Sequence, residues 1–94
     1  MKSLYMVAYR YRENVAEDQL RTLTKKFLEF GTAPGTIAHY ERLDGRGGFA
    51  IQEMPDDPEA TYELTLRYAP WIEFEVMPVT SMDDAFPVIT RVYG

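Results

Sequence analysis

Apolar and polar residues alternate with a period of two from Leu4 to Arg12, so that Tyr5, Val7, Tyr9 and Tyr11 share one face and Leu4, Met6, Ala8, Arg10 and Arg12 the other. That is the pattern of a strand. The period then lengthens: Leu20, Leu23, Phe27 and Phe30 recur at helical spacing, with Arg21, Lys25, Lys26 and Glu29 outside the stripe. Asn14, with Glu17 three residues on, reads as the cap of this helix, and Gly31 as its stop. Thr36 to Leu43 and Gly48 to Met54 read as two strands joined by a tight turn at Asp44-Gly45-Arg46-Gly47. Asp56-Asp57-Pro58-Glu59 opens a second helix, with an inward stripe of Ala60, Leu64, Tyr68 and Trp71 and an end near Pro70. A last strand alternates Ile72, Phe74 and Val76 against Glu73, Glu75 and Met77. Ser81 with Asp84 suits the cap of one more short helix, which Pro87 interrupts, and the β-branched run from Val88 to Tyr93 is expected to be extended along a sheet edge.

The order β-α-β-β-α-β is a split βαβ arrangement of the α+β class. It predicts an antiparallel four-stranded sheet in spatial order 4-1-3-2 with both helices on one face. A chain of 94 residues makes one domain, residues 1–94. Parity across the strands assigns Val7, Tyr9, Ile37, Phe49, Ile51, Ile72, Phe74 and Val76 to the helix side. The opposite face is expected to collect Met6, Ala8, Arg10, Ala38, Tyr40, Arg42, Ala50, Gln52, Met54, Glu73, Glu75 and Met77. Ala8 is expected opposite Glu75 and Arg10 opposite Glu73, and the three alanines would leave an indentation at the sheet centre. Such a surface is too apolar to be simply wet and too charged to be core. Two copies packed on it would enclose a cavity with a few convergent polar groups, the usual make-up of a small-molecule site. Its candidate ligand-binding residues are Arg10, Tyr40, Gln52, Met54, Glu73 and Glu75. The bland alternative is a sealed interface in which Arg10 and Arg42 merely pair with Glu73 and Glu75.

Charge narrows the partners. Ten basic against fifteen acidic residues give a net charge of −5, which repels phosphate backbones and anionic lipid surfaces. Neither nucleic acid nor a membrane is an expected partner. The chain has no cysteine, hence no disulfide framework, thiolate nucleophile or cysteine-bound zinc. The apolar run Leu4–Ala8 is marginal for a signal peptide, and no run approaches a membrane span, so a cytoplasmic protein is expected.

Individual candidates have ordinary explanations beside the chemical ones. His39, the single histidine, falls on the helix side with Glu41 and Glu53 and reads as a hydrogen-bonded structural residue sooner than a base or haem ligand. Glu73 and Glu75 stand roughly 6–7 Å apart on one strand, a separation that acid/base pairs use, but solvated edge charges explain them as well. Gly45-Arg46-Gly47-Gly48 lacks the following helix of a phosphate loop. Asp56-Asp57 and Asp83-Asp84 sit at helix starts, where capping accounts for them without a metal. The tyrosines of the first strand read as packing residues, and no serine or threonine has a positioned base. No cofactor or metal is expected.

Phe49 to Glu53, Asp56-Asp57-Pro58-Glu59-Ala60, Trp71 and the strand Phe74-Glu75-Val76-Met77-Pro78-Val79 resemble a family of small uncharacterised bacterial domains of unknown function within the dimeric α+β barrel superfamily. The resemblance runs from Leu4 to about Met82. It implies a ferredoxin-like subunit that forms a homodimer sheet to sheet. The superfamily also holds cofactor-independent monooxygenases, cyclases, lactone isomerases and haem-degrading enzymes, but none of their catalytic signatures is matched, so no catalytic residue is transferred. The expectation is therefore a dimer that binds a small molecule between its sheets. The alternatives are a cofactor-independent monooxygenase, cyclase or isomerase acting on a small aromatic or lactone, with Tyr40, Arg10 and Glu75 at the substrate, and a structural dimer that docks on a larger enzyme.

Overall fold

A computed structural model describes residues 3–53 and 57–94. Seven elements follow one another: β1 (Leu4–Tyr11), α1 (Glu17–Phe30), β2 (Thr36–Glu41), β3 (Gly47–Glu53), α2 (Pro58–Tyr68), β4 (Ile72–Val79) and α3 (Met82–Tyr93). The strands form one antiparallel sheet in the order β2-β3-β1-β4. β1 thus sits between β3 and β4, as the order of the elements along the chain predicts, and Ala8 pairs with Glu75 and Arg10 with Glu73.

Helix ends follow local chemistry at the start of α2 and the end of α1 and depart from it at the start of α1. Asp57 caps α2 by accepting from the Ala60 N–H at 3.2 Å, with Pro58 in the first turn. Gly31, at φ 70°, ends α1 and returns its N–H to the Phe27 carbonyl. The start of α1 corrects the sequence reading: the cap position is Ala16, which has no side-chain acceptor, and Asn14 lies in the preceding turn. The Val15 N–H goes back to the Arg12 carbonyl, and this turn delays the helix.

The tail is a second correction. Val88 to Tyr93 is helical, because α3 runs unbroken through Pro87 from its Ser81 cap, whose side chain accepts from the Asp84 N–H at 3.1 Å. Met82, Phe86, Ile89 and Val92 or Tyr93 recur at helical spacing, and that period outweighs the β-propensity of the individual residues. None of its residues is buried.

The core lies between the sheet and the first two helices. Leu23 of α1, Tyr68 of α2 and Ile72 of β4 are buried together, with Tyr9, Tyr11, Phe30, Leu64, Trp71 and Phe74 against them. The Tyr68 hydroxyl donates to the Gly31 carbonyl at 2.8 Å, tying α2 to the end of α1, and burial raises its pKa above the ordinary phenol value. Arg67 lies over the Phe30 ring, 4.4 Å from its centroid.

The largest departure from the expected arrangement is the parity of β3. Val7 pairs with Ala50 and Tyr5 with Gln52, so Ala50 and Gln52 join the helix side, while Phe49 and Ile51 face the other way. Bulk alone favours Phe49 and Ile51 inside. The register instead lays Gly48 and Ala50 under the bulky row of β1, where large side chains on both strands would collide. Consequently the outer face carries Leu4, Met6, Ala8, Ala38, Tyr40, Phe49, Ile51, Met77 and Val79 beside Arg10, Glu73 and Glu75. The three-alanine indentation is not formed, since Ala50 lies on the opposite face. Ile37 falls at an irregularity in the β2–β3 pairing and is exposed.

Leu23→Ala is expected to lower unfolding free energy by about 2–3 kcal/mol, the lower part of the range for a buried leucine, because Leu23 is only 7% exposed. Leu28→Ala on the same helix, at 80% exposure, is expected to change it by less than about 0.5 kcal/mol. Urea titration of the two variants measures the contrast.

Candidate functional site

The helices do not close down on the sheet. Between them lies a cleft of about 1030 Å³, walled by Val7, Phe74 and Val76 of the sheet, Leu20, Leu23 and Phe27 of α1, and Leu64 and Tyr68 of α2. Small-molecule sites typically span about 300–1,000 Å³, so the cleft stands at the upper end of that range. Leu20 and Phe27 point into it yet remain 37% and 42% exposed. They belong to the predicted inward stripe of α1, and the open cleft explains why they are not buried.

One end of the cleft is polar and built from two strands that are not neighbours. Tyr9 of β1 reaches across β3 to β2, where its hydroxyl lies 2.9 Å from Glu41 Oε1 and 2.7 Å from His39 Nε2. Tyr11 donates to Glu41 Oε2 at 2.5 Å. The residue of β3 that lies between Tyr9 and Glu41 is Gly48, paired to both. A Cβ there would run into the Tyr9 hydroxyl and the Tyr40 carbonyl, so the missing side chain is what lets the Tyr9 ring pass. The rings pack edge to face: Tyr9 with Tyr11 at 6.3 Å, Tyr9 with His39 at 5.6 Å, and Phe27 of α1 with His39 at 6.1 Å.

Proton counting orders the cluster. Tyr9 has one proton and ionised Glu41 is only an acceptor. The contacts are all satisfied when both tyrosines donate to Glu41 and His39 donates its Nε2–H to the Tyr9 oxygen. Burial, and then the hydrogen bond to Glu41 and its charge, push the pKa values of Tyr9 and Tyr11 well above the ordinary phenol value. Both phenols are therefore fixed donors at neutral pH.

The residues singled out from the sequence divide between two surfaces. Arg10, Tyr40, Glu73 and Glu75 lie on the outer sheet face and are exposed. Arg10 and Glu73 share a small polar depression with Arg12, and it is Arg12, not Arg10, that pairs with Glu73, at 3.3 Å. Gln52 is on the cleft side, where it donates to Thr36 Oγ1 at 3.3 Å. Met54 and Asp56 lie outside the described residues. Arg42 does not pair with Glu73 or Glu75. It follows β2 in the turn and pairs with Asp44, whose pKa is lowered by the Arg46 N–H and by Arg42. His39 does face the helices beside Glu41, as its parity predicts, but Glu53 pairs with Leu4 on the opposite face. The sequence reading missed Tyr9, Tyr11 and Glu41 as a unit. The signal that would have found them is Gly48, a side-chain gap in a central strand facing a tyrosine row. No group of three or more metal-ligating side chains occurs among the described residues, and no helix among them is long and apolar enough to cross a membrane.

Gly48→Ala is expected to break the Tyr9–Glu41 and Tyr9–His39 contacts and destabilise the fold by more than a surface substitution does, read as a lower urea midpoint. The two raised phenols also have a pH consequence. The unfolded chain ionises them near 10 while the folded chain does not, so their contribution is intact below that pH and is lost as pH rises above it. Stability is expected to fall more steeply above pH 10 in the natural chain than in Tyr9→Phe/Tyr11→Phe, followed by urea unfolding across the alkaline range.

No curated protein matches the chain significantly. A family described as "Domain of unknown function (DUF3303)" matches residues 3–93, nearly the whole sequence, and the chain belongs to that family.

Proposed function

We propose that this protein binds a small, mainly apolar molecule in the cleft between the sheet and helices α1 and α2, with the polar end of the ligand at the Tyr9–Tyr11–His39–Glu41 cluster. The observation that carries this reading is the cleft itself: about 1030 Å³ with apolar walls and a hydrogen-bonded cluster at one end. A folded chain gains by collapsing such a space, and a ligand supplies the contacts that the helices leave unmade. Nile red, a neutral apolar dye, is expected to bind with a fluorescence increase that Thr24→Trp, which fills the α1 wall, abolishes. Undiminished dye binding to Thr24→Trp would place the site elsewhere.

A second reading concerns the outer face. We propose that two copies associate through it as a homodimer of ferredoxin-like subunits, the arrangement of a dimeric α+β barrel. Two measures of shape support this. The radius of gyration is 15.8 Å, against about 12 Å for a compact chain of this length. The accessible surface is 7132 Å², roughly 1500 Å² above that of a compact monomer of the same mass. That excess is comparable with what one subunit of a large obligate dimer buries. Exposed apolar groups contribute to it, among them Tyr40 and Phe49 on the sheet and Phe86, Val92 and Tyr93 on α3. Sedimentation equilibrium is expected to give twice the 10.9 kDa chain mass, and Tyr40→Lys to shift the population toward monomer. A natural chain that sediments as a monomer at tens of micromolar overturns the dimer and leaves the cleft untouched.

A further inference from the structure

The cleft has one end at which hydrogen-bond donors are already spent. Tyr9 and Tyr11 both give their protons to Glu41, and His39 gives its Nε2–H to Tyr9. What is left for a ligand is acceptors: the remaining lone pairs of the Glu41 carboxylate, the second lone pair of the Tyr9 oxygen, and His39 Nδ1. A ligand group meeting this end must donate.

Its charge is also specified. Among the described residues lining the cleft Glu41 is the single carboxylate, and there is no lysine or arginine. The ion pairs among the described residues, Arg12–Glu73, Arg21–Glu17, Arg42–Asp44 and Arg67–Glu63, do not include Glu41. Glu41 is solvent-exposed at the mouth of the cleft, and the apolar walls lower the dielectric on its inner side only. Around it stand the rings of Tyr9, Tyr11, His39 and Phe27, and aromatic faces attract cations. The net charge of −5 adds a long-range pull of the same sign.

Resting on the cleft reading above, we infer that the site selects a hydrophobic amine, whose ammonium group donates to Glu41 within the aromatic ring set while its apolar body fills the space between the sheet and the helices. An anionic amphiphile is rejected there by Glu41, and a neutral alcohol of the same skeleton binds without the charge term.

The test is a matched series, naphthylethylamine, naphthylethanol and naphthylacetate, titrated calorimetrically into the full chain at neutral pH. The expected result is that the amine binds at least about tenfold more tightly than the alcohol, equivalent to about 1.4 kcal/mol, with the carboxylate weakest. Glu41→Gln is expected to remove the gap between amine and alcohol. Because Glu41→Gln also disturbs the tyrosines, an independent arm uses salt. Molar sodium chloride narrows the amine–alcohol gap on the natural chain and leaves alcohol affinity intact or higher. Alcohol or carboxylate binding as tightly as the amine overturns the selectivity and leaves the cleft as an apolar site. Failure of all three to bind overturns the cleft reading, and the selectivity with it.

Discussion

The passage of Tyr9 over Gly48 is the contact on which the rest of the arrangement turns. Side chains on adjacent strands meet as a matter of course, but β1 and β2 are separated by β3, and a bulky residue on the intervening strand would block the reach. With no side chain at Gly48 the Tyr9 ring lies across the strand and its hydroxyl comes to Glu41 and His39. That single contact links the centre of the sheet to its edge, fixes the Glu41 carboxylate from one side while Tyr11 fixes it from the other, and gives the cleft a polar end. Raised phenol pKa values follow from the same geometry, since both hydroxyls are partly withdrawn from water and face a negative charge.

The register that permits this crossing has a cost on the other side of the sheet. Turning Gly48, Ala50 and Gln52 toward the helices turns Phe49 and Ile51 away from them. The helix side loses bulk that would have filled the space under α1 and α2, which is one reason the cleft stays open. The outer face gains the same bulk and becomes an apolar surface bordered by Arg10, Glu73 and Glu75. A chain of this length has little surface to spare for a core, and here that core is divided between a loosely closed inner layer and an outer layer with no buried side chain. α3 adds an amphipathic helix of which nothing is buried. An open cleft inside and an exposed apolar face outside are thus two consequences of one choice of strand parity.

Most of the secondary structure was legible because each element announces its period. Two-residue alternation marks β1 and β4, and the expected pairing of Ala8 with Glu75 and Arg10 with Glu73 is the one that forms. The stripe from Leu20 to Phe30 with Gly31 behind it marks α1, and Asp57-Pro58 marks the start of α2. Local cues failed where two of them competed. Asn14 is a good cap in isolation, but a turn to Arg12 takes up the chain there and the helix begins after Ala16. The run after Pro87 is β-branched, yet its apolar residues keep helical spacing, and the helix prevails.

The sequence by itself determined the four strands and the first two helices, which strand residues alternate, and that His39 and Glu41 share a side of β2. It turned Phe49 inward and Ala50 outward on hydrophobicity alone, whereas the space beneath the tyrosines of β1 ranks them the other way. Only the tertiary structure decided that, because a steric fit between strands is a property of their register and of no single strand. The same decision placed Tyr9 beside residues some 30 positions away in the chain, a proximity that no local pattern encodes.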